Sequence, residues 1–154
     1  MNNGGQTSKP NVWARRKARR ALVQAVYEWQ MSANNLADIR TSFLDGDALK
    51  KADIDFFDEL LTRVVHHASA MDDAFSPLLD RPLAQLNPVE HAILRLATAE
   101  LAHRIDVPYL VVIDQYVELA KTFGAQDSHK YINGVLDKLA GRLRAVEVRA
   151  SRRG

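Results

Sequence analysis

The chain has 154 residues, 47% apolar and 26% charged, which suits one globular domain with a sizeable core and not a disordered chain. It contains no cysteine, so disulfides, thiolate metal sites and thiol nucleophiles are excluded. The net charge of +2 is unevenly spread: residues 1–20 carry six cations and no acid, residues 141–154 carry five arginines against Glu147, and the body between them is acidic. Basic ends on an acidic body suit a protein that offers its ends to a polyanion, with plain solubility as the blander reading. No apolar stretch reaches the roughly 20 residues of a membrane span. Residues 1–10 lack the apolar centre of a secretory signal, so the cytoplasm is the expected location.

Residues 1–11 are rich in Asn, Gly, Gln, Ser and Lys and predict a disordered extension. Beyond them, apolar side chains recur at helical spacing. Ala18, Leu22, Ala25, Val26 and Trp29 mark a first helix. Leu36, Ile39, Phe43 and Leu44 mark a shorter second, which Asp45-Gly46-Asp47 interrupts. Residues 53–71 predict a third, burying Phe56, Phe57, Leu60, Leu61, Val64 and Val65. Residues 74–86 predict a fourth that Pro77 and Pro82 shorten or break. The fifth starts at Asn87, an N-cap followed by Pro88 at the first helical position and Glu90 closing a capping box. Its stripe is Val89, Ile93, Leu96, Ala97 and Leu101. Pro108 opens a sixth, with Ile113, Tyr116, Val117 and Ala120 inward and Gly124 at its end. Asp127 or Ser128 can cap a seventh, packed through Ile132, Val135, Leu136 and Leu139. The short β-branched run at 111–113 lies inside a helical pattern and predicts no strand. The expected architecture is an all-α domain over residues 12–144, built of small bundles because the connections are short. Residues 145–154 read as a basic tail, into which Val146 and Val148 could extend the last helix.

The basic cluster is the strongest local signal. Arg15, Arg16, Arg19 and Arg20 fall on one side of the first helix with Lys17 at its margin, opposite Ala18, Leu22, Val26 and Trp29. Arginine suits phosphate because its planar fork donates paired hydrogen bonds and also stacks on bases. A solvated basic face is the alternative, but such crowding costs repulsion that a bound anion relieves. The five histidines, His66, His67, His91, His103 and His129, show no zinc-helix spacing and read as surface or partly buried groups. Asp58-Glu59 and Asp72-Asp73 read as solvated acids. No glycine-rich phosphate loop or nucleophile motif is present, so neither catalytic residue, metal nor cofactor is expected. Glu100 lies on the apolar stripe of its helix, seven residues after Ile93, and must be paired or hydrogen-bonded. The expected role is to accept backbone N–H groups where Pro108 opens the next helix.

One segment carries a family resemblance. It runs Asp106-Val107-Pro108-Tyr109, then Ile113 to Glu118, then Leu119-Ala120-Lys121-Thr122-Phe123-Gly124, and continues from Asp127-Ser128-His129-Lys130-Tyr131 to Lys138. With Ala-Arg-Arg-Lys-Ala-Arg at 14–19, Gln24, Ala25, Tyr27, Trp29, Leu94-Arg95 and Ala99-Glu100-Leu101, it resembles the NusB transcription antitermination factors from about residue 13 to 143. The resemblance implies two packed three-helix bundles, about seven helices in all. It implies a partner, NusE, which is also a small-subunit ribosomal protein. It further implies joint binding of boxA RNA in nascent ribosomal and phage transcripts, helping RNA polymerase pass terminators. By the same resemblance Arg15, Arg16, Lys17, Arg19 and Arg20 contact RNA, Asp127, Lys130 and Tyr131 lie beside them, and Tyr27 and Glu90 meet NusE. Two features depart from the family: Leu78 stands where some members carry an aromatic residue near the RNA, and the extension before Trp13 is longer than in many. Monomer and homodimer both stay open. The alternative reading is the RNA-binding domain of a ribosomal RNA cytosine methyltransferase. Such enzymes need a further catalytic domain with a reactive cysteine, so this sequence would be a fragment of one. A protein-only scaffold is a third reading, which the basic first helix disfavours.

Overall fold

Asn11 accepts the Ala14 N–H at 3.0 Å and starts α1, Val12–Met31, in a computed structural model that describes residues 11–153. Asn11 therefore belongs to the helix and not to an extension; the rest of the expected disordered segment lies outside the described residues. α2 is Leu36–Asp45, α3 Ile54–Phe75, α4 Pro88–His103, α5 Tyr109–Phe123, α6 Ser128–Leu143 and α7 Ala145–Arg153. The described residues hold no strand. No helix among them is long and apolar enough to cross a membrane. The expected fourth segment is broken at its prolines as predicted: α3 absorbs its start, and two 3-10 turns, Ser76–Leu78 and Leu83–Gln85, follow.

α1, α2 and α3 form one three-helix bundle and α4, α5 and α6 a second, with α4 also packed against α1 and α3. Central placement explains why α4 is buried almost all round from Ala92 to Leu101, where its neighbours are buried on one stripe. Phe56, Phe57, Leu60, Leu61, Ile93, Leu94 and Leu96 fill the shared core, each worth about 1.5–3 kcal/mol on burial. Asn87 and Glu90 form the expected capping box. Gly124 ends α5 at a tight approach: a Cβ there would lie 2.6 Å from the Ala120 carbonyl oxygen. Asp127 sits in the left-handed region at φ 67° and its side chain caps nothing, while the Ser128 hydroxyl donates to Glu90; neither caps α6 as expected.

Polar side chains fix how the helices meet. Asp72 of α3 accepts Arg95 of α4 at 2.9 and 2.8 Å and bonds His91 at 2.8 Å. Although burial opposes it, these bonds hold the Asp72 carboxyl below its usual range. In the centre, Arg19 of α1 donates from Nε and Nη2 to Glu100 of α4 at 2.9 and 2.7 Å. The hydroxyl of Tyr116, on α5, donates to the same carboxylate at 2.9 Å. Arg19 is 3% exposed and Glu100 and Tyr116 0%. Burial disfavours charge on Arg19, yet the bond to Glu100 and its attraction hold the guanidinium pKa above its usual value. Burial, with the Glu100 charge, pushes the Tyr116 phenol well up, so it stays a neutral donor.

Two expectations are corrected here. Glu100 does not cap the helix after Pro108, because both its oxygens are taken by Arg19 and Tyr116. That cap is Glu147 of α7, whose Oε2 accepts the Tyr109 N–H at 2.8 Å. Nor are residues 145–153 a loose tail. Arg144 donates to the Leu101 and Arg104 carbonyls at 2.7 and 2.8 Å, closing the end of α4, and to Glu147 at 2.6 Å, while Val148 is buried.

Glu100→Ala should destabilise the fold by about 3–5 kcal/mol in chemical denaturation, because it strands a buried guanidinium. The double variant Arg19→Met, Glu100→Leu should recover most of that loss, since the charge is removed with its partner. A single variant within about 1 kcal/mol of wild type would contradict the buried pair. Arg144→Ala should cost about 1–3 kcal/mol through the carbonyls it leaves without a donor. An unchanged midpoint for that variant would restore the tail reading.

Candidate nucleic-acid interface

On an α-helix, residues four apart sit roughly 40° apart and adjacent residues roughly 100° apart. The arginines of α1 therefore sort into two pairs. Arg15 and Arg19 turn toward α3 and α4; Arg16 and Arg20 turn outward with Lys17. Arg19 is removed from the expected RNA-binding set, because its guanidinium is consumed by Glu100 inside the core. A signal was present: Arg19, Leu22, Val23 and Val26 recur at i, i+3, i+4 and i+7, the spacing of a buried stripe. Arg15 is half committed. Its Nη1 lies 3.1 Å from Asp106 and its Nε 3.6 Å from Asp53. The guanidinium carbons of Arg15, Arg19 and Arg104 lie 4.9, 5.0 and 5.1 Å from the centre of the buried Phe56 ring.

Arg16, Lys17 and Arg20 are left. All three are exposed, and none has an ion-pair partner among the described residues. Arg16 lies 5.5 Å from the ring centre of Trp13, which is 68% exposed, and Arg20 lies 5.3 Å from that of Phe123. The rings steady both guanidinium groups without neutralising them. Trp13, Arg16, Lys17 and Arg20 form one wall of a groove of about 370 Å³; Glu118, Leu119 and Lys121 of α5 help form the other. Lys121 holds the Glu118 carboxyl below its usual range, with lesser help from Arg16 and His129. α6 packs against α5, the helix of the groove's other wall, and its first turn starts at Ser128.

That turn carries Lys130, 3.5 Å from Asp127 with both groups exposed, and Tyr131, half-buried. The Arg81 guanidinium lies 4.2 Å above the Tyr131 ring centre and bonds Asp80 at 2.8 Å, so one ring face is already covered. Sequence reasoning missed Arg81, which no helical spacing connects to Tyr131. Leu78 lies in the turn Ser76–Leu78, which packs against α6, and is aliphatic. Among the described residues, no group of three His, Asp or Glu side chains could hold a metal ion.

The same exposed stripe of α1 changes character toward its C-terminus. Tyr27, 39% exposed, lines an apolar groove of about 530 Å³ with Met31, Phe43, Val89 and Phe123. Glu90 is not beside it as a free carboxylate. It is 6% exposed; one oxygen closes the capping box at 3.4 Å and the other accepts Ser128 at 2.8 Å. Both carboxylate oxygens are thus engaged within the chain, and Glu90 clasps the start of α4 to the start of α6.

The NusB family model matches residues 16–141. The transcription antitermination protein NusB of Shewanella amazonensis is 53% identical over 128 residues, covering 83% of this chain and 96% of that protein. A crystal structure of T. maritima NusB superposes with a TM-score of 0.72 at 30% identity, covering 87% of this chain and 92% of that one. A crystal structure of the antitermination factors NusB and NusE in complex with dsRNA superposes with a TM-score of 0.75 at 24% identity, over 84% and 97% of the two chains. With the family matched across most of the chain and the all-helical fold shared, this chain belongs to the NusB family.

Proposed function

We propose that the chain is a transcription antitermination factor that acts by binding, holding boxA-type RNA on the basic half of α1 and NusE on the apolar half, with no catalytic step. The observation that carries this is the single exposed stripe of α1. It runs from Trp13, Arg16, Lys17 and Arg20, which offer unpaired cations and an aromatic ring, to Tyr27 and Met31, which offer an apolar surface. Unpaired cations and exposed rings suit phosphates and unstacked bases. Tyr27 in an apolar groove is the kind of anchor that protein interfaces use. Relatives about half identical to this chain are named transcription antitermination proteins, and a NusB of the same fold has been crystallised with NusE and dsRNA. Arg81, Lys130 and Tyr131 extend the RNA surface across the start of α6. Joined to NusE and RNA, the chain helps RNA polymerase read through terminators.

Arg16→Ala with Arg20→Ala should weaken binding of a boxA-type RNA and flatten the log–log salt dependence by roughly 1.4, about 0.7 for each single-strand phosphate that no longer meets a cation. Arg15→Ala should act less, because Asp53 and Asp106 already hold that guanidinium. Equal affinity and slope in the double variant would remove RNA from this face. Tyr27→Asp should weaken NusE binding by about 30-fold or more in calorimetry, as loss of an interface anchor does, with the helical circular dichroism spectrum unchanged. A folded variant that binds NusE as wild type does would move the partner elsewhere.

A further inference from the structure

Lys17 and Arg20 face a second groove as well as the first. It lies on the other flank of α1 and measures about 450 Å³. Its far wall is the turn between α2 and α3, which carries Asp47, Lys50 and Lys51. The turn is anchored: Leu49 is buried, Lys50 N–H donates to the Asp47 carbonyl at 3.1 Å, and Ala52 N–H to the Leu49 carbonyl at 3.0 Å. Neither lysine has an ion-pair or side-chain hydrogen-bond partner among the described residues, whereas the arginines facing the bundle interior are all paired. Lys51 also has φ 63°, a left-handed backbone that glycine or asparagine adopts more readily. The anchored turn holds this conformation, and among the described residues the Lys51 ammonium takes no part in holding it.

We propose that this groove continues the RNA track, carrying the phosphates of nucleotides that flank the recognised element from Lys17 and Arg20 onto Lys50 and Lys51. The inference rests on the RNA-binding function proposed above. Continuity favours RNA over an unrelated acidic ligand, because the two grooves share the same two cations. Lysine presents a point charge without the arginine fork, so this wall holds a backbone of any sequence. Asp47 is the one acid on the wall and opposes phosphate, which provides a control of opposite sign.

The test is fluorescence anisotropy of the chain with two RNAs, one limited to the boxA element and one extended by several nucleotides at each end. Wild type should bind the longer RNA more tightly and with a steeper salt slope. Lys50→Ala with Lys51→Gly should bind the short RNA as wild type does and show no extra affinity for the longer one, with a slope flatter by roughly 1.4. Lys51→Gly suits the left-handed turn, so the variant should melt no lower than wild type. Asp47→Asn should tighten the longer RNA only. If the lysine variant binds the longer RNA as wild type does, while Arg16→Ala with Arg20→Ala binds both RNAs more weakly, the second groove is refuted and the proposed function stands. Equal weakening on both RNAs would place the lysines in the element's own site and overturn the flanking track. Loss of NusE binding with RNA unchanged would assign the groove to protein and overturn it too. If wild type binds neither RNA, the proposed function itself fails, and the track with it.

Discussion

Glu100 sits on the central helix with no solvent around it, and three helices are tied together through its two oxygens. Burying a carboxylate and a guanidinium costs several kcal/mol each unless geometry and hydrogen bonding are nearly complete. Here Arg19 approaches side-on with two N–H groups and Tyr116 supplies a third donor. The consequence reaches the surface. Fixing Arg19 inward fixes the rotation of α1 about its own axis, and that rotation points Arg16, Lys17 and Arg20 at solvent. Tyr116 fixes α5 in the same way. The two walls of the first basic groove therefore both hang from one carboxylate. A preformed site avoids the ordering cost that a flexible basic arm would meet on binding.

Charge is apportioned by depth. Beneath the basic face, Arg15, Arg19 and Arg104 surround Phe56 and are balanced by Asp53, Glu59, Glu100 and Asp106. Above it, Arg16, Lys17, Arg20, Lys50 and Lys51 have no ion-pair partner among the described residues. The net charge of +2 conceals this, since the quantity that matters to a polyanion is the set of unneutralised cations on one surface. The acidic body serves the basic face by neutralising the inner arginines, so the field projected outward comes from the outer ones.

Much of this was legible in the sequence, and the main exceptions share a cause. Helical periodicity marked the main helices, and Asn87 with Glu90 announced the start of α4, because these are local rules acting over one or two turns. Arg19 was misread as surface because arginine is seldom buried, and only a partner 81 residues away makes its burial tolerable. Glu100 was rightly seen as needing a partner, yet nothing local says whether that partner is a backbone end or another side chain. Glu90 was legible in its capping pattern, but Ser128, the donor to its second oxygen, lies 38 residues away and was not. Residues 145–153 looked like a tail because their composition is basic, whereas their order comes from Arg144 and Glu147 closing the ends of α4 and α5. Arg19, Glu100 and Glu90 are each polar groups whose partners lie distant in sequence. Periodicity reports where apolar faces lie and is silent on such pairs.

Placing both proposed ligands on one helix has a mechanical consequence. α1 is 20 residues long and continuous, and its ends are held by the Asn11 cap and by Gln30, which bonds the Pro88 carbonyl and Arg95. A rigid rod keeps the basic and apolar halves at a fixed separation. Basic residues alone give RNA binding that is salt-sensitive and poorly selective, since phosphates are the same in every sequence. A partner docked on Tyr27 would bring its own RNA-binding groups to a fixed distance from Arg16 and Arg20. The second engagement then forms within one complex, at an effective concentration set by the helix and not by diffusion. Selectivity would emerge from the pair because only an RNA that spans both readers benefits from both. For that benefit the helix must not bend between Arg20 and Tyr27, and the buried run of Ala21, Leu22, Val23, Ala25 and Val26 that packs this stretch against the core is what keeps it straight.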